Sequence, residues 1–251
     1  MSLGLYKNNQ GLRFWEEEEI LLRNQAIDRL YLSVKKFLTQ INPAWRFFRV
    51  EGPVITPCEF INKEYSYREF YPLLADEKHG EVEQFPGLRP ETTMSSFVYA
   101  EHLLISGIAK APLCVWQAGK SFRQESNDGA RASKLRFNEF YQIEFQCIFD
   151  ATTTKADYMN SFLNQSPFVI QKEIESLTNS YKCNVVESDR LPSYSEKTVD
   201  VEVLHLGEQR EMASISLRKD FPNPKYKVFE IAVGLDRIIS MAMQNKFGIK
   251  L

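Results

Sequence analysis

The 251-residue sequence has no apolar run long enough to cross a bilayer as a helix, which argues against a membrane-spanning protein. Its N-terminus, "MSLGLYKNNQGLRFWEEEE", has no apolar stretch of signal-peptide length and is acidic where a transit peptide would be basic. Cysteine is sparse: Cys58, Cys114, Cys147 and Cys183 stand far apart and form no CxxC pair. That spacing argues against a zinc site and suits a reducing, cytoplasmic compartment. An excess of positive charge is missing too. The formal net charge is −2 and the pI about 6.0, so bulk electrostatics give no reason to expect a nucleic-acid partner. Any such partner would be held by a local patch. No internal repeat, low-complexity tract or linker-like gap divides the chain, so residues 1–251 read as a single domain.

Core material is ample, with eighteen Phe and eleven Tyr. Residues 18–41 place Ile20, Ile27, Leu30, Tyr31, Val34, Phe37, Leu38 and Ile41 at helical spacing, and Asn42–Pro43 closes that helix. "WRFFRVEGPVITPCEF" follows as an extended run broken by Pro53 and Pro57. "SSFVYAEHLLISGI" (95–108) is apolar at helical spacing. The runs 111–125 and 136–150 are rich in β-formers, and the linker between them holds Asn-Asp-Gly, a turn signal. They predict a long antiparallel hairpin. A helix broken at Pro167 is expected over about 154–178, then a polar loop to about 197. "KTVDVEVLHL" and "REMASISLRKDF" form a strand pair separated by "GEQ", and "KYKVFEIAV" a last strand. Gly234 permits a sharp turn into the helix "LDRIISMAMQNKF". A leading helix followed mostly by strands predicts an α+β fold around an antiparallel sheet.

Residues two apart in a strand share a face. Gln117, Gly119, Ser121, Arg123 and Glu125 therefore point one way, opposite Cys114, Trp116, Ala118 and Phe122, a face interrupted by Lys120. Phe140, Gln142, Glu144 and Gln146 share one face of the second run; Tyr141, Ile143, Phe145, Cys147 and Phe149 share the other. A solvated outer face would give the same alternation. Yet the polar residues here are planar Arg, Gln and Glu with a glycine among them. Arginine forks suit phosphate and carboxylates accept from ammonium, so a ligand bearing both is the sharper reading. In the last segment Glu230 and Ala232 share a strand face, and Arg237 sits in the first turn of the following helix, where free N–H groups favour anions. Asp236 and Arg237 could equally be ordinary first-turn charges.

Together these segments resemble the catalytic core of the class II aminoacyl-tRNA synthetases, and within it the glycyl branch. That family's second motif runs F-R-x-E, a loop, then R-x-x-x-F-x-x-x-E. Here stand Phe122-Arg123-Gln124-Glu125, a ten-residue loop, and Arg136-x-x-x-Phe140-x-x-x-Glu144. "LRPETT" (88–93) matches the branch's L-R-P-E-T, and "EMASISLRKDF" (211–221) is similar to its E-L-x-G-I-A-D-R-x-D-F. "FEIAVGLDRI" is similar to the third motif, I-E-P-S-x-G-x-D-R. The helix and strand over about 18–60 resemble the first motif loosely; the second and third motifs fall in 111–150 and 226–247.

The resemblance implies a class II antiparallel sheet flanked by helices, and ATP-dependent activation of an amino acid to its adenylate, with Mg2+ on the phosphates. Arg123 would hold the α-phosphate and the substrate carboxylate, and Glu125 would accept from the adenine amine. Phe140 would stack under adenine, with Arg237 covering the other face and reaching the γ-phosphate beside Arg136. Glu91, Glu144 and Glu230 would surround the α-ammonium, a cluster of like charges that only a cation makes comfortable. Glu211 would be the protein ligand to magnesium. Transfer to tRNA or another acceptor would follow, and the 18–41 helix with its strand would form a homodimer.

Some positions depart from the branch. Ile231-Ala232 replace its Pro-Ser, whose serine helps recognise glycine, so alanine or serine become candidate substrates with glycine. Asn138 replaces an arginine, Leu217 an acidic residue, and the second-motif loop is two residues longer. No stretch matches the anticodon-binding domain. A non-catalytic module on the same fold, like the accessory subunits of some polymerases or a regulatory sensor, is the alternative. Retention of Arg123, Glu125, Phe140 and Arg237 favours the enzyme, because a chain kept for shape alone could lose them.

Overall fold

The computed structural model describes residues 14–57, 59, 71–73, 86–124, 135–154, 156–179 and 181–247. Cys58, Glu125 and the Asn-Asp-Gly turn lie outside the described residues.

Helix α1 (Glu17–Ile41) buries Ala26, Leu30, Val34, Phe37 and Leu38 along one stripe. Three glutamates in its first turn suit the positive end of the helix dipole. Glu19 turns back to accept the backbone N–H of Glu16 at 3.1 Å. A seven-stranded sheet then forms the body, in the order β1 (Arg46–Arg49), β5 (Leu113–Phe122), β6 (Glu139–Asp150), β10 (Tyr226–Gly234), β9 (Glu208–Arg218), β8 (Ser195–His205) and β7 (Cys183–Glu187). Strands β1 and β5 run parallel; every other neighbouring pair is antiparallel. Short strands β2 (Ile55–Thr56), β3 (Tyr71–Pro72) and β4 (Gly87–Leu88) make a small second sheet.

The two faces of the large sheet differ as the alternation predicts. On one, Cys114, Trp116, Ile143, Phe145, Cys147, Phe149, Phe229 and Ile231 meet α1, α3 (Ala156–Thr178) and α4 (Leu235–Phe247) in the main core. On the other, Leu113, Val115, Ile148 and Val228 meet Phe97, Ala100 and Leu103 of α2 (Thr93–Ile105) in a smaller cluster at one end of the strands. Between that cluster and the opposite strand ends the same face is polar and carries a cleft.

Three local expectations are corrected. Helix α3 runs unbroken through Pro167; Phe162 and Leu163 before it and Ile170 and Ile174 after it enter one core, which holds both halves on a common axis. The polar stretch before 197 contains β7, and β8 begins at Ser195, so hydrogen bonding to a neighbouring strand overrides polar composition. The β8–β9 connection is the two-residue turn Leu206–Gly207 rather than "GEQ". Both residues have positive φ (49° and 84°), as a hairpin matching the strand twist requires.

Candidate active site

The cleft lies on the polar face of β6, β10, β9 and β8, with a volume of about 520 Å³. Its back wall is set by Arg89, a buried side chain whose burial lowers its pKa. Its Nε donates to the carbonyl of Lys120 at 2.8 Å and its Nη1 to that of Gly52 at 2.8 Å. Gln117 completes the knot: its amide donates to the carbonyl of Thr92 and the hydroxyl of Ser96, both at 2.7 Å, and its Oε1 accepts the backbone N–H of Gly52 at 3.1 Å. A Cβ on Gly119 would sit 2.4 Å from Arg89 Nη2, so glycine is required there by close approach. This knot fastens the segment Pro90–Thr93 onto β5 and aims it at the floor of the cleft.

Three carboxylates meet there. Glu91, Glu144 and Glu230 are 7%, 3% and 5% exposed and all line the cavity. Thr92 donates to Glu144 Oε2 at 2.5 Å, and the Gln142 amide donates to Glu144 Oε1 at 2.6 Å. The hydroxyl of Thr93 lies 3.1 Å from Glu144 and 2.9 Å from Glu230. One hydroxyl has one proton, so it satisfies only one ionised partner at a time. Burial, then the charges of Glu230 and Glu91, push the carboxyl of Glu144 up to about 8.

Sequence reasoning missed the residue that makes this cluster tenable. Arg218, fully buried on β9, donates from Nη1 to Glu230 at 2.9 Å and grips Asp220 with Nε (2.9 Å) and Nη2 (2.6 Å). Glu91 lies 3.8 Å away. Its guanidinium stacks 3.9 Å over the ring of Tyr194. Burial opposes its charge, yet Glu230, Asp220 and Glu91 hold its pKa well above the ordinary value. The expectation that only a bound cation relieves the carboxylates is therefore corrected: the chain supplies one cation itself. Its signal was an arginine inside an apolar strand, "SISLRKDF".

The other end of the cleft is cationic. Arg123 donates from Nε to the carbonyl of Pro90 at 3.1 Å and places its guanidinium 5.1 Å from the centre of the Phe140 ring. Arg237 donates from Nε to the carbonyl of Leu135 at 3.2 Å and from Nη1 to the carbonyl of Glu211. Burial lowers its pKa; Glu211 opposes this, and the nearby Arg136, Arg123 and Arg210 add to it. Arg123, Arg136, Arg210 and Arg237, of which Arg210 also pairs with Glu208, thus face one space, a setting that suits a polyanion. Asp236, an ordinary first-turn charge by one reading of the sequence, instead accepts the backbone N–H of Tyr141 at 2.5 Å and pins α4 to β6. Gly234 has no positive φ. A Cβ there would meet Arg237 Cδ at 3.8 Å, an ordinary contact, so the turn into α4 does not depend on glycine.

Comparison with known proteins bears on this arrangement. No family model matches the chain. It is 33% identical to the glycine–tRNA ligase of Mycoplasma capricolum over 134 residues, 53% of this chain and 29% of that protein. To the glycine–tRNA ligase of Mycoplasmopsis synoviae it is 30% identical over 174 residues, 61% of this chain and 38% of that one. The prolyl-tRNA synthetase of Cryptosporidium parvum superposes on 92% of this chain with a TM-score of 0.67 at 12% identity, using 47% of its own chain. The pyrrolysyl-tRNA synthetase of Desulfitobacterium hafniense covers 90% with a TM-score of 0.58 at 16% identity, using 70% of its own. Over these stretches the chain is homologous to glycine–tRNA ligases, and its fold is that of the two synthetase structures.

The chain spans about three-tenths to two-fifths of the length of the curated relatives it matches. Of the residues the sequence singled out, Glu91, Arg123, Arg136, Phe140, Glu144, Glu211, Glu230, Ala232 and Arg237 all line its cleft. Glu125 lies outside the described residues. Glu139, the first residue of β6, is not among the lining residues and pairs with Lys120. For magnesium, Glu211 faces Glu202 across the β8–β9 ladder, and both line the cavity. Among the described residues no group of three or more metal-ligating side chains forms a dedicated cage. Two carboxylates beside a polyanion site fit Mg2+, which commonly takes one or two protein carboxylates plus phosphate oxygens. No helix among the described residues is long and apolar enough to cross a membrane.

Proposed function

We propose that this synthetase core activates a small amino acid with ATP. An oxygen of the substrate carboxylate attacks the α-phosphorus, the bond from that phosphorus to the β-bridging oxygen breaks, and pyrophosphate leaves with the electron pair. The aminoacyl-adenylate then passes its acyl group to tRNA or another acceptor. The supporting observation is that three carboxylates suited to an α-ammonium and four arginines suited to phosphates line one cavity. Arg123, one of these arginines, is tied to Pro90 beside Glu91, where the α-phosphate and the substrate carboxylate would meet. It would neutralise charge growing on the α-phosphoryl oxygens. Arg237 and Arg136 would take the β- and γ-phosphates, Phe140 would stack on adenine, and Glu125 would accept from the adenine amine. Glu211, with Glu202, would hold Mg2+, which when bound offsets phosphate charge. Nothing here needs a side-chain nucleophile; positioning and electrostatics suffice. Ala232 leaves the amino-acid identity open among small side chains.

Amino-acid-dependent exchange of pyrophosphate into ATP tests this directly. Exchange is expected with at least one small amino acid, and Arg123→Ala should reduce it by about 10²-fold or more, the scale of removing one preorganised donor to a developing oxyanion. Absence of exchange with all twenty amino acids would leave the non-catalytic module instead.

A further inference from the structure

One carboxylate in the cleft has no part in the reaction just described. Asp200, on β8, is 4% exposed and lines the cavity, and its buried Oδ1 accepts no hydrogen bond. A buried acceptor left open is costly, and the residue that carries it borders the cavity, where a ligand's donor could relieve that cost.

Its place in the sheet indicates which donor. Asp200 pairs with Ser214, Ser214 with Ala232, and Ala232 with Glu144. One row across four strands therefore carries Glu144, Ala232, Ser214 and Asp200, all facing the cavity. Neighbouring strands are about 4.8 Å apart, so Asp200 stands ~10 Å from Ala232, on the side away from Glu144. Glu202 and Glu211 pair with each other one row further along, toward Gly234 and Arg237. Asp200 thus belongs to the row of the ammonium carboxylates rather than to the end that carries Phe140 and Arg237.

We propose that Ser214 and Asp200 form a side-chain subsite of the amino-acid pocket, selecting a short side chain that ends in a hydroxyl or ammonium over glycine and alanine. This deepens the adenylation reading and rests on it. With the α-ammonium among Glu91, Glu144 and Glu230, a substituent on the α-carbon passes the methyl of Ala232, which offers no bar and no hydrogen bond. It meets the Ser214 hydroxyl at the first strand spacing and the Asp200 carboxylate at the second. Serine, threonine, 2,3-diaminopropionate and 2,4-diaminobutyrate carry the donor, the last extending farthest toward Asp200; glycine and alanine leave the acceptor open.

The test pairs catalysis with binding. Pyrophosphate exchange is measured for these six amino acids with the wild type, Asp200→Ala and the volume-conserving Asp200→Asn. Binding of the matching aminoacyl-sulfamoyladenosines is measured by calorimetry. A donor-bearing amino acid should exceed alanine at least tenfold in kcat/KM, and either variant should cut that ratio at least tenfold. Glycine or alanine as the best substrate, or a ratio unchanged in both variants, overturns the subsite. So does loss of discrimination between ATP and its 2′- or 3′-deoxy forms with the amino-acid ratio intact, since Asp200 would then serve the ribose. Should no amino acid support exchange while the donor-bearing analogue binds tenfold tighter than the alanyl one, and only with Asp200 present, adenylation falls and the subsite stands. Neither exchange nor that binding preference overturns both.

Discussion

Glu144 and Arg218 solve the same problem in opposite ways. Three buried carboxylates within one small space cannot all stay ionised at modest cost. Arg218 meets the charge of Glu230 and Glu91, whereas Glu144, held by Thr92 and Gln142, retains its proton to about pH 8. A carboxyl whose native pKa exceeds its unfolded value near 4.5 binds more protons folded than unfolded across that window. Stability from this group is therefore full below about pH 4.5 and is lost as pH climbs through about 8. Glu144→Gln should flatten that slope, so that its melting temperature changes less than that of the wild type between about pH 5 and pH 8.5. Equal slopes by differential scanning calorimetry would place the proton elsewhere. The sequence displayed Glu144 plainly, because a glutamate on the polar face of a β-rich run stands out. Arg218 was hidden by its setting: the six residues before it in β9, Met212 to Leu217, are small or apolar, and nothing local reveals that Glu91, Asp220 and Glu230 converge on it.

At the scale of elements, alternation with period two was the dependable guide. The two faces of β5 and β6 separate as their residues predict: one merges into the main core, while on the other β6 lines the cleft and β5 lies under Arg89 and the start of α2. The polar face is buried rather than solvated: Gln117 is fully enclosed, because Arg89 and the start of α2 cover it. That covering comes from sequence far away, so alternation could mark the face but not its lid. Strand β7 was missed because two of its five residues are polar and a hydrophilic stretch precedes its partner, β8. The Leu206–Gly207 turn was misplaced because leucine carries no turn signal, yet it holds φ of 49° while 69% exposed. Leucine is strained there without burial in return. Leu206→Asn, giving the favoured Asn-Gly pair, should stabilise the protein by about 0.5–1 kcal/mol in urea unfolding. A neutral or destabilising change would show that the leucine has a partner of its own.

At the scale of the molecule, α1 and strand β1 frame one side of the sheet, and among the described residues β1 pairs with β5 alone. We propose that this side joins two copies of the chain. Leu21 and Leu32, 62% and 59% exposed on α1, are apolar groups that such a joint would cover. Light scattering at micromolar concentration should return twice the 29.2 kDa chain mass, and the mass of one chain would refute it. Any tRNA contact would come from local arginines rather than from overall charge, given the net −2.

The carboxylate cluster also bears on the order in which the chain is made. Its floor joins a hydroxyl at residue 93 to a carboxylate at residue 230, 137 positions apart, through a knot that also recruits Gly52. During synthesis on the ribosome no partial chain owns this pocket until the final strand has emerged and docked. A substrate that binds it therefore rewards only finished molecules, drawing them away from the pool still exposed to proteases.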